Sequence, residues 1–182
     1  MRSTRSGSQA WFDVVHSVEL VFDADTEAAV RRIWDELRAA GIPSQAPASR
    51  PHATLTVAEL IDPEVDVLLR LLVARFPMPC RIGAPLVFGR AKAVLARLLV
   101  PTTDVLEVHA EVHRLCLPHS RPGPMANALP GQWTAHVTVA RRVVPAQMGR
   151  AVRIAGKPSE IEGSIAGLRR WDGNAKREYP IS

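Results

Sequence analysis

The stretch RPHATLTVAEL, residues 50–60, places a histidine and a threonine within what is otherwise an apolar strand. Side chains two residues apart on a strand share a face, so His52 and Thr54 point together. The apolar residues that alternate with them belong to the opposite face: Ala53, Leu55 and Val57. The pattern predicts a strand that turns one face to the core and leaves the other available for chemistry.

A second stretch, TAHVTVARR at residues 134–142, repeats this arrangement. His136 and Thr138 share one face, and the apolar residues between and after them face the other way. Either stretch alone is typical of an ordinary strand, because threonine favours strands. By composition, two such patterns among six histidines arise in roughly 1% of chains, and in several per cent once strand preferences are allowed. The presence of both patterns therefore indicates a functional site rather than two ordinary strands.

Two imidazoles and two hydroxyls on neighbouring strands suit the in-line cleavage of a phosphodiester. Such cleavage needs a base for the attacking oxygen and an acid for the leaving oxygen. Histidine serves as either, because its unperturbed pKa is about 6.5. The threonine hydroxyls can donate hydrogen bonds to the non-bridging phosphate oxygens. This chemistry requires neither a metal ion nor a cofactor, and we predict none.

The motifs HATL at residues 52–55 and HVTV at residues 136–139 resemble those of the two-histidine phosphoesterases. These include the bacterial and archaeal RNA 2',3'-cyclic phosphodiesterases, also called 2'-5' RNA ligases. The resemblance implies an α+β fold of two pseudosymmetric lobes, each an antiparallel sheet with helices on its outer face, and an active-site cleft between the lobes. It implies metal- and ATP-independent chemistry on cyclic phosphates or 2'-5' linkages. The catalytic residues that it implies are His52, Thr54, His136 and Thr138.

The order of predicted elements supports this resemblance. Residues 16–22, HSVELVF, are typical of a strand, and helix and strand patterns alternate after it. Each half of the chain has the order strand, helix, strand, helix, strand, with one more strand at the end. No Ser/Gly-rich linker separates the halves. We predict a single bilobal domain over residues 11–182, preceded by a disordered N-terminal tail at residues 1–10.

Three residues beside the motifs are candidates for substrate contacts. By the resemblance, Arg141 matches an arginine three residues past the second threonine that assists phosphate binding in bacterial members. Strict alternation puts Arg141 on the face opposite His136, so this role requires the strand to bulge or end there. A solvated arginine is the alternative. Arg50 and Trp133 flank the motifs and could contact a nucleotide's phosphate and base, although Trp133 could equally pack at the edge of its loop.

The remaining histidines and the cysteines point to no second reaction. His109 and His113 lie one helical turn apart, but no glutamate accompanies them in the metalloprotease arrangement. A solvated helix face is the favoured interpretation for both. Cys80 and Cys116 lack metal-ligand spacing, and no base is evident beside Cys116, which argues against a Cys-His nucleophile. We therefore predict no metal site.

The composition is that of a soluble globular protein, since 47% of the 182 residues are hydrophobic and 23% are charged. No signal peptide or membrane-spanning segment is visible, so we expect a cytoplasmic protein with no membrane partner. The net charge of +5 suits a polyanion such as RNA, although arginine-rich composition also follows from genome base content. A monomer is the expected oligomeric state.

Three functional hypotheses are open at this point. The first is hydrolysis of 2',3'-cyclic phosphate ends or 2'-5' bonds of RNA, with 2'-5' ligation as the reverse reaction. The second keeps this chemistry but takes a small nucleotide, such as a cyclic phosphate of ADP-ribose. The third is an RNA-binding module that has the fold without turnover. Intact copies of both histidines and both threonines favour an enzyme, and the motifs alone leave the choice of acid between the histidines open.

Overall fold

The computed structural model describes residues 15–182, and the tail predicted at residues 1–10 lies outside the described residues. The strands are β1 (His16–Phe22), β2 (His52–Ala58), β3 (Leu60–Ile61), β4 (Met78–Phe88), β5 (Ala93–Leu99), β6 (Ser120–Arg121), β7 (His136–Val143), β8 (Ile161–Asp172) and β9 (Arg177–Ile181). The α-helices are α1 (Ala24–Ala39), α2 (Val65–Leu69), α3 (Thr103–Cys116) and α4 (Pro145–Ala155). Short 3₁₀ segments cover Arg70–Arg75, Leu117–His119 and Ala126–Ala128.

Seven strands form one antiparallel sheet in the order β1-β2-β7-β5-β4-β8-β9, and β1 also pairs with β8, which closes the ring. The long strand β8 serves both lobes, because its first half pairs with β4 and its second half lies between β1 and β9. The first lobe is therefore β2-β1-β8-β9, and the second lobe is β7-β5-β4-β8. The strands β3 and β6 form a small separate sheet. The predicted α+β fold with two antiparallel lobes is confirmed, and the lobes share one strand.

The helices cover the outer faces of the sheet, and two of them cross between the lobes. Helix α1 follows β1 of the first lobe but packs against β7 and α4, whereas α3 follows β5 of the second lobe but packs against β2 and α2. Asp23 caps α1 by accepting a hydrogen bond from the amide of Thr26, and Thr102 caps α3 in the same manner. Each half of the chain therefore contributes to both lobes. No helix within residues 15–182 is long and apolar enough to cross a bilayer.

An apolar core lies between the helices and the outer faces of the two lobes. Its fully buried members from both lobes include Leu20, Leu55, Leu95 and Leu99. Two buried arginines tie helices to the sheet. Arg170 donates two hydrogen bonds, of 2.8 and 2.9 Å, to the carboxylate of Asp66 in α2. Arg97 donates to four backbone carbonyls, among them that of Ala155 at the end of α4, so its buried guanidinium is satisfied without a carboxylate.

The first motif strand bulges at the last residue of its motif. The register of β2 against β1 shifts between Val18 and Glu19, which leaves Leu55 as the extra residue. Past the bulge the alternation is reversed, since Thr56 is fully buried and Val57 is half-buried. The expectation that Val57 shares the core face of Leu55 is therefore wrong, because strict alternation does not hold across a bulge.

The second motif strand bulges at the equivalent place. The register of β7 against β5 shifts between Leu95 and Ala96, which leaves Val139 as the extra residue. Val139 and Ala140 are both fully buried, and Arg141 is exposed. The backbones of the two motif strands thus follow the same course, with the histidine and the threonine placed just before the bulge.

Candidate active site

The two motif strands meet at a seam between the lobes. Strands β2 and β7 pair through a single residue pair, Ala53 opposite Val137, and both side chains are buried. In antiparallel strands the flanking residues face each other in reverse order, so His52 is directed toward Thr138. The same register directs the second histidine toward the first threonine. All four motif side chains belong to the inner face of the lobes, opposite the core.

A backbone carbonyl fixes the orientation of each imidazole. Nδ1 of His52 lies 2.7 Å from the carbonyl oxygen of Arg50, and Nδ1 of His136 lies 2.6 Å from that of Thr134. Because a carbonyl can only accept a hydrogen bond, Nδ1 carries a proton in both rings. Each ring therefore keeps Nε2 for exchanging a proton with a substrate.

Two tryptophans bind the carbonyl groups of the motif threonines. The indole N–H of Trp133 donates to the carbonyl oxygen of Thr54 at 2.9 Å, and that of Trp34 donates to the carbonyl oxygen of Thr138 at 3.2 Å. These bonds satisfy backbone groups at a seam where the strands share only one residue pair. Sequence reasoning missed Trp34, because it lies on α1, 104 residues away from the threonine that it holds.

His136 lies in apolar and positively charged surroundings. The ring of Phe88 packs against it with a centroid distance of 4.8 Å. Burial lowers the pKa of His136 below its ordinary value. The positive charges of Arg141 and His52 lower this pKa further, and the hydrogen bond to the carbonyl of Thr134 opposes them in part. His52 is thus near enough to affect the charge of His136, and the neutral form of His136 is favoured.

Arg141 belongs to the same face of β7 as His136. The bulge at Val139 reverses the alternation, so the arginine returns to the inner face of the lobe. The electrostatic interaction between Arg141 and His136 agrees with that placement. A phosphate contact by Arg141 requires the strand to bulge, and β7 does bulge there. The contact itself stays a prediction.

Among residues 15–182, His52 lies beside a buried ion pair that has no counterpart next to His136. Its Nε2 is 3.6 Å from Oε1 of Glu19, and the other carboxylate oxygen is 2.7 Å from Nη2 of Arg169. The hydroxyl of Ser17 donates to Oε1 of Glu19 at 2.6 Å. Arg169 also pairs with Glu178 of β9, and its Nη2 lies 3.4 Å from Nδ1 of His52.

Glu19 is buried and nevertheless ionised. Burial by itself raises the pKa of this carboxyl group, but the charges of His52 and Arg169 oppose that effect. Together with the hydrogen bonds from Ser17 and Arg169, they bring the pKa of Glu19 below its ordinary value. Sequence reasoning missed this ion pair. The one available signal was an acidic residue inside the apolar strand HSVELVF, and its partner lies 150 residues away.

The structure gives Arg50 and Trp133 partners within the protein. The guanidinium of Arg50 pairs with Glu27 of α1, while its main-chain carbonyl orients the first histidine. The ring of Trp133 stacks on His109 at a centroid distance of 4.0 Å, with the planes 6° apart. Both residues therefore support the motif strands directly, and their contacts with a substrate stay predictions.

The structure also decides between the interpretations of the other candidates. His109 is buried, and its Nε2 lies 2.9 Å from the carbonyl oxygen of Ala128, so the expectation of a solvated helix face is wrong for this residue. Within residues 15–182 no group of three or more His, Cys, Asp or Glu side chains could hold a metal ion. Burial raises the pKa of Cys116 to about 12, which makes its thiol unsuitable as a nucleophile.

Comparisons with known proteins agree with this fold and these motifs. A family model described as the 2'-5' RNA ligase superfamily matches residues 24–176. The solved structure of E. coli LigT complexed with 3'-AMP aligns with a TM-score of 0.57 and 12% identity, over 92% of this chain and 94% of that chain. Kluyveromyces marxianus Usb1 aligns with a TM-score of 0.54 and 12% identity, over 93% of this chain and 99% of that chain. The MHV ns2 PDE domain aligns with a TM-score of 0.51 and 14% identity, over 92% and 99% of the two chains. No curated protein sequence matches the chain.

Proposed function

The chain belongs to the 2'-5' RNA ligase superfamily, and we propose that it is a metal-independent phosphoesterase for 2',3'-cyclic phosphate ends or 2'-5' bonds of RNA or nucleotides. One observation carries this proposal: two imidazoles near one another have the same orientation and the same available nitrogen. In both His52 and His136, Nδ1 is held by the carbonyl two residues earlier, and Nε2 is left for proton transfer. Paired proton donors and acceptors of this kind suit general acid–base catalysis.

Hydrolysis of a 2',3'-cyclic phosphate needs two proton transfers. One imidazole takes a proton from water while the water oxygen bonds to phosphorus. The other imidazole gives its proton to the ribose oxygen whose bond to phosphorus breaks, so one water is consumed and a phosphomonoester forms. The hydroxyls of Thr54 and Thr138 donate hydrogen bonds to the non-bridging oxygens of the phosphate, and Arg141 contributes a positive charge. The same sequence, with the 5'-hydroxyl of a second nucleotide attacking in place of water, would form a 2'-5' bond.

Further observations support a nucleotide ligand. The compared structures of Usb1 and LigT contain uridine monophosphate and 3'-AMP, respectively. The net charge of +5 suits a partner that carries phosphate. Cys80 and Cys116 are free and buried, which fits the reducing cytoplasm in which we place the protein.

The proposal is tested with a panel of nucleoside 2',3'-cyclic phosphates, 2'-5' linked dinucleotides and a cyclic phosphate of ADP-ribose. The purified protein is assayed in EDTA and without added ATP. We expect turnover to persist, because histidine acid–base chemistry with hydroxyl and arginine donors supplies every role. The double variant His52→Ala/His136→Ala, purified in parallel, controls for contaminating nucleases.

Two other outcomes would contradict the proposal, and a third would narrow it to small nucleotides. Activity that disappears on chelation and returns with zinc or manganese would indicate a metal-dependent mechanism. Turnover restricted to the cyclic phosphate of ADP-ribose would exclude the RNA substrates. Binding of single-stranded RNA without turnover of any compound would identify a non-catalytic RNA-binding module.

A further inference from the structure

Basic residues are concentrated in the stretches of chain that build the second lobe. Residues 67–103 contain six arginines and lysines, residues 112–159 contain seven, and neither stretch contains an aspartate or a glutamate. Strands β4, β5 and β7 and helix α4 all lie within these two stretches. The 18 acidic residues therefore lie in the rest of the chain, and the second lobe is the more basic of the two.

Three exposed basic side chains lie at the end of the second lobe, and we call them the basic rim: Arg90, Lys92 and Arg142. The first two belong to the turn between β4 and β5, and the pairing of Ala93 with Val143 places that turn beside the end of β7. Within residues 15–182 none of the three side chains makes a hydrogen bond or an ion pair. Their charges are therefore available to an anion.

Arg142 lies in a second bulge of β7, beyond the one at Val139. The register of β7 against β5 shifts again between Ala93 and Leu95, so that two arginines of β7 stand across from Val94 alone. Arg142 has a φ of 59°, in the left-handed region that favours glycine. The first lobe keeps its register at the matching place, so the motif does not require this strain. Strained residues of this kind cluster at ligand-binding sites.

The basic rim adjoins the residues that surround His136. Phe88, whose ring packs against that imidazole, is the last residue of β4, and Arg90 follows two residues later. Two residues span at most about 7.6 Å between Cα atoms. On β7, Arg142 directly follows Arg141, which is near enough to affect the charge of His136. A phosphate held between the two imidazoles would therefore have the basic rim beside it on the side of the second lobe.

The corresponding end of the first lobe has mixed charge. It carries Glu59 and Glu178 as well as Lys176 and Arg177, and all four side chains are exposed. Glu178 lies at this end because it pairs with Trp171, which in turn pairs with β1 near its start. A substrate with more than one phosphate is therefore attracted more strongly to the second lobe than to the first.

We propose that the basic rim binds a second phosphate of the substrate, on the 5' side of the reacting nucleotide. This inference rests on the proposed function. A cyclic phosphate occupies the 2' and 3' oxygens of its ribose, so a further phosphate is attached through the 5' oxygen. In RNA that phosphate links the preceding nucleotide, and in a cyclic phosphate of ADP-ribose it belongs to the diphosphate. The rim residues touch no reacting atom, so they strengthen binding and leave the chemical step unchanged.

The first experiment measures binding and requires no turnover. Calorimetry compares adenosine 3'-monophosphate with adenosine 3',5'-bisphosphate, which differ only in the 5'-phosphate. We expect the Kd of the bisphosphate to be lower by at least about fivefold, the effect of a charge-assisted contact with one phosphate. The difference should shrink as salt is added, since salt screens exposed charges. Equal Kd values for the two compounds at low salt would overturn the inference.

The second experiment locates the contact. In the double variant Arg90→Gln/Lys92→Gln the preference for the bisphosphate should largely disappear, while the Kd of the monophosphate should stay within about twofold. Arg150→Gln/Arg153→Gln is the matched control, because it removes two charges from exposed positions on α4 of the same lobe. An equal loss in this control would show that only the net charge matters, which would overturn the assignment to the rim.

Arg142→Gly tests the strained member of the rim separately. Glycine adopts the left-handed conformation without strain, so this variant should be no less stable than the wild type in thermal unfolding. We expect it to lose part of the preference for the bisphosphate, because it lacks one rim charge. A preference equal to that of the wild type would exclude Arg142 from the contact.

The third experiment identifies the source of the second phosphate and separates this inference from the proposed function. Steady-state kinetics compare adenosine 2',3'-cyclic phosphate with the dinucleotide ApA that ends in a 2',3'-cyclic phosphate, and with a cyclic phosphate of ADP-ribose. A lower KM for the dinucleotide, with kcat unchanged, would identify RNA as the source, and a lower KM for the ADP-ribose compound alone would identify the diphosphate. A lower KM for neither would overturn the inference. If no compound is turned over, the proposed function is contradicted, while calorimetry still decides whether the rim binds a second phosphate.

Discussion

Strands β2 and β7 carry the same motif on the same backbone course, and the surfaces beside them have opposite character. Each has an imidazole fixed by a carbonyl, a threonine held by a tryptophan and a bulge at the fourth motif residue. Beside β2 lie two acidic side chains and a buried arginine. Beside β7 lie Ala96, Leu98 and Phe88.

The position of each imidazole and the charged groups around it have different origins. The repeated backbone places both imidazoles at the seam, and this placement requires only the motif and the strand pairing. The surroundings of the two rings differ, because the ion pair of Glu19 and Arg169 lies beside His52, whereas Phe88 packs against His136. A pseudosymmetric site can thus perform an asymmetric reaction, because acid and base need different surroundings and the same geometry.

The largest effect should come from removing either imidazole. His52→Ala and His136→Ala should each lower kcat by at least about 10²-fold, since each removes one proton-transfer partner. The plot of the wild-type rate against pH should be bell-shaped, and the plot for each variant should lose one limb of the bell. Steady-state kinetics over pH measure both effects, with His119→Ala as the control outside the motifs. Wild-type rates in both variants on a substrate that the protein turns over would refute the mechanism.

Removing either motif hydroxyl should cost less. Thr54→Val and Thr138→Val keep the shape of the side chain and should each cost about 1–3 kcal/mol of transition-state stabilisation, the range for a lost hydrogen bond to a charged group. This corresponds to a loss of about 5- to 150-fold in kcat/KM. Thr56→Val is the matched control, because the hydroxyl of Thr56 is buried without a hydrogen-bond partner.

A lower kcat/KM in Thr54→Val with an unchanged kcat/KM in Thr138→Val would show that only one lobe holds the phosphate. An equal loss in the control would show that the effect arises from strand packing. Either result would weaken the assignment of paired hydroxyl donors.

The smallest effect should come from the two indole groups at the seam. Trp34→Phe and Trp133→Phe each remove one hydrogen bond to a threonine carbonyl, so each should lower the free energy of unfolding by about 1 kcal/mol. We expect kcat to fall by less than about tenfold in both, since the imidazoles keep their own carbonyl partners. Chemical denaturation and steady-state assays measure the two quantities. An unchanged free energy of unfolding in both variants would show that water replaces the indole N–H groups at no cost in stability.

The local sequence pattern determined much of the fold and the motif positions. A histidine and a threonine two residues apart in an apolar strand must share a face, and this alternation is local. The same holds for the caps of α1 and α3, where a side chain bonds an amide three residues later. Strict alternation failed at Val57 and Arg141, because a bulge depends on how the neighbouring strand pairs.

Tertiary structure alone decided what surrounds each histidine. Glu19 and Arg169 lie 150 residues apart, and only the pairing of β1 with β8 brings them together. Trp34 reaches the second motif because α1 crosses from one lobe to the other. Local patterns report which face a side chain belongs to, since that follows from backbone geometry within a few residues. They do not report which distant side chain shares that face, because strand order and helix crossings are set by the packing of the whole chain.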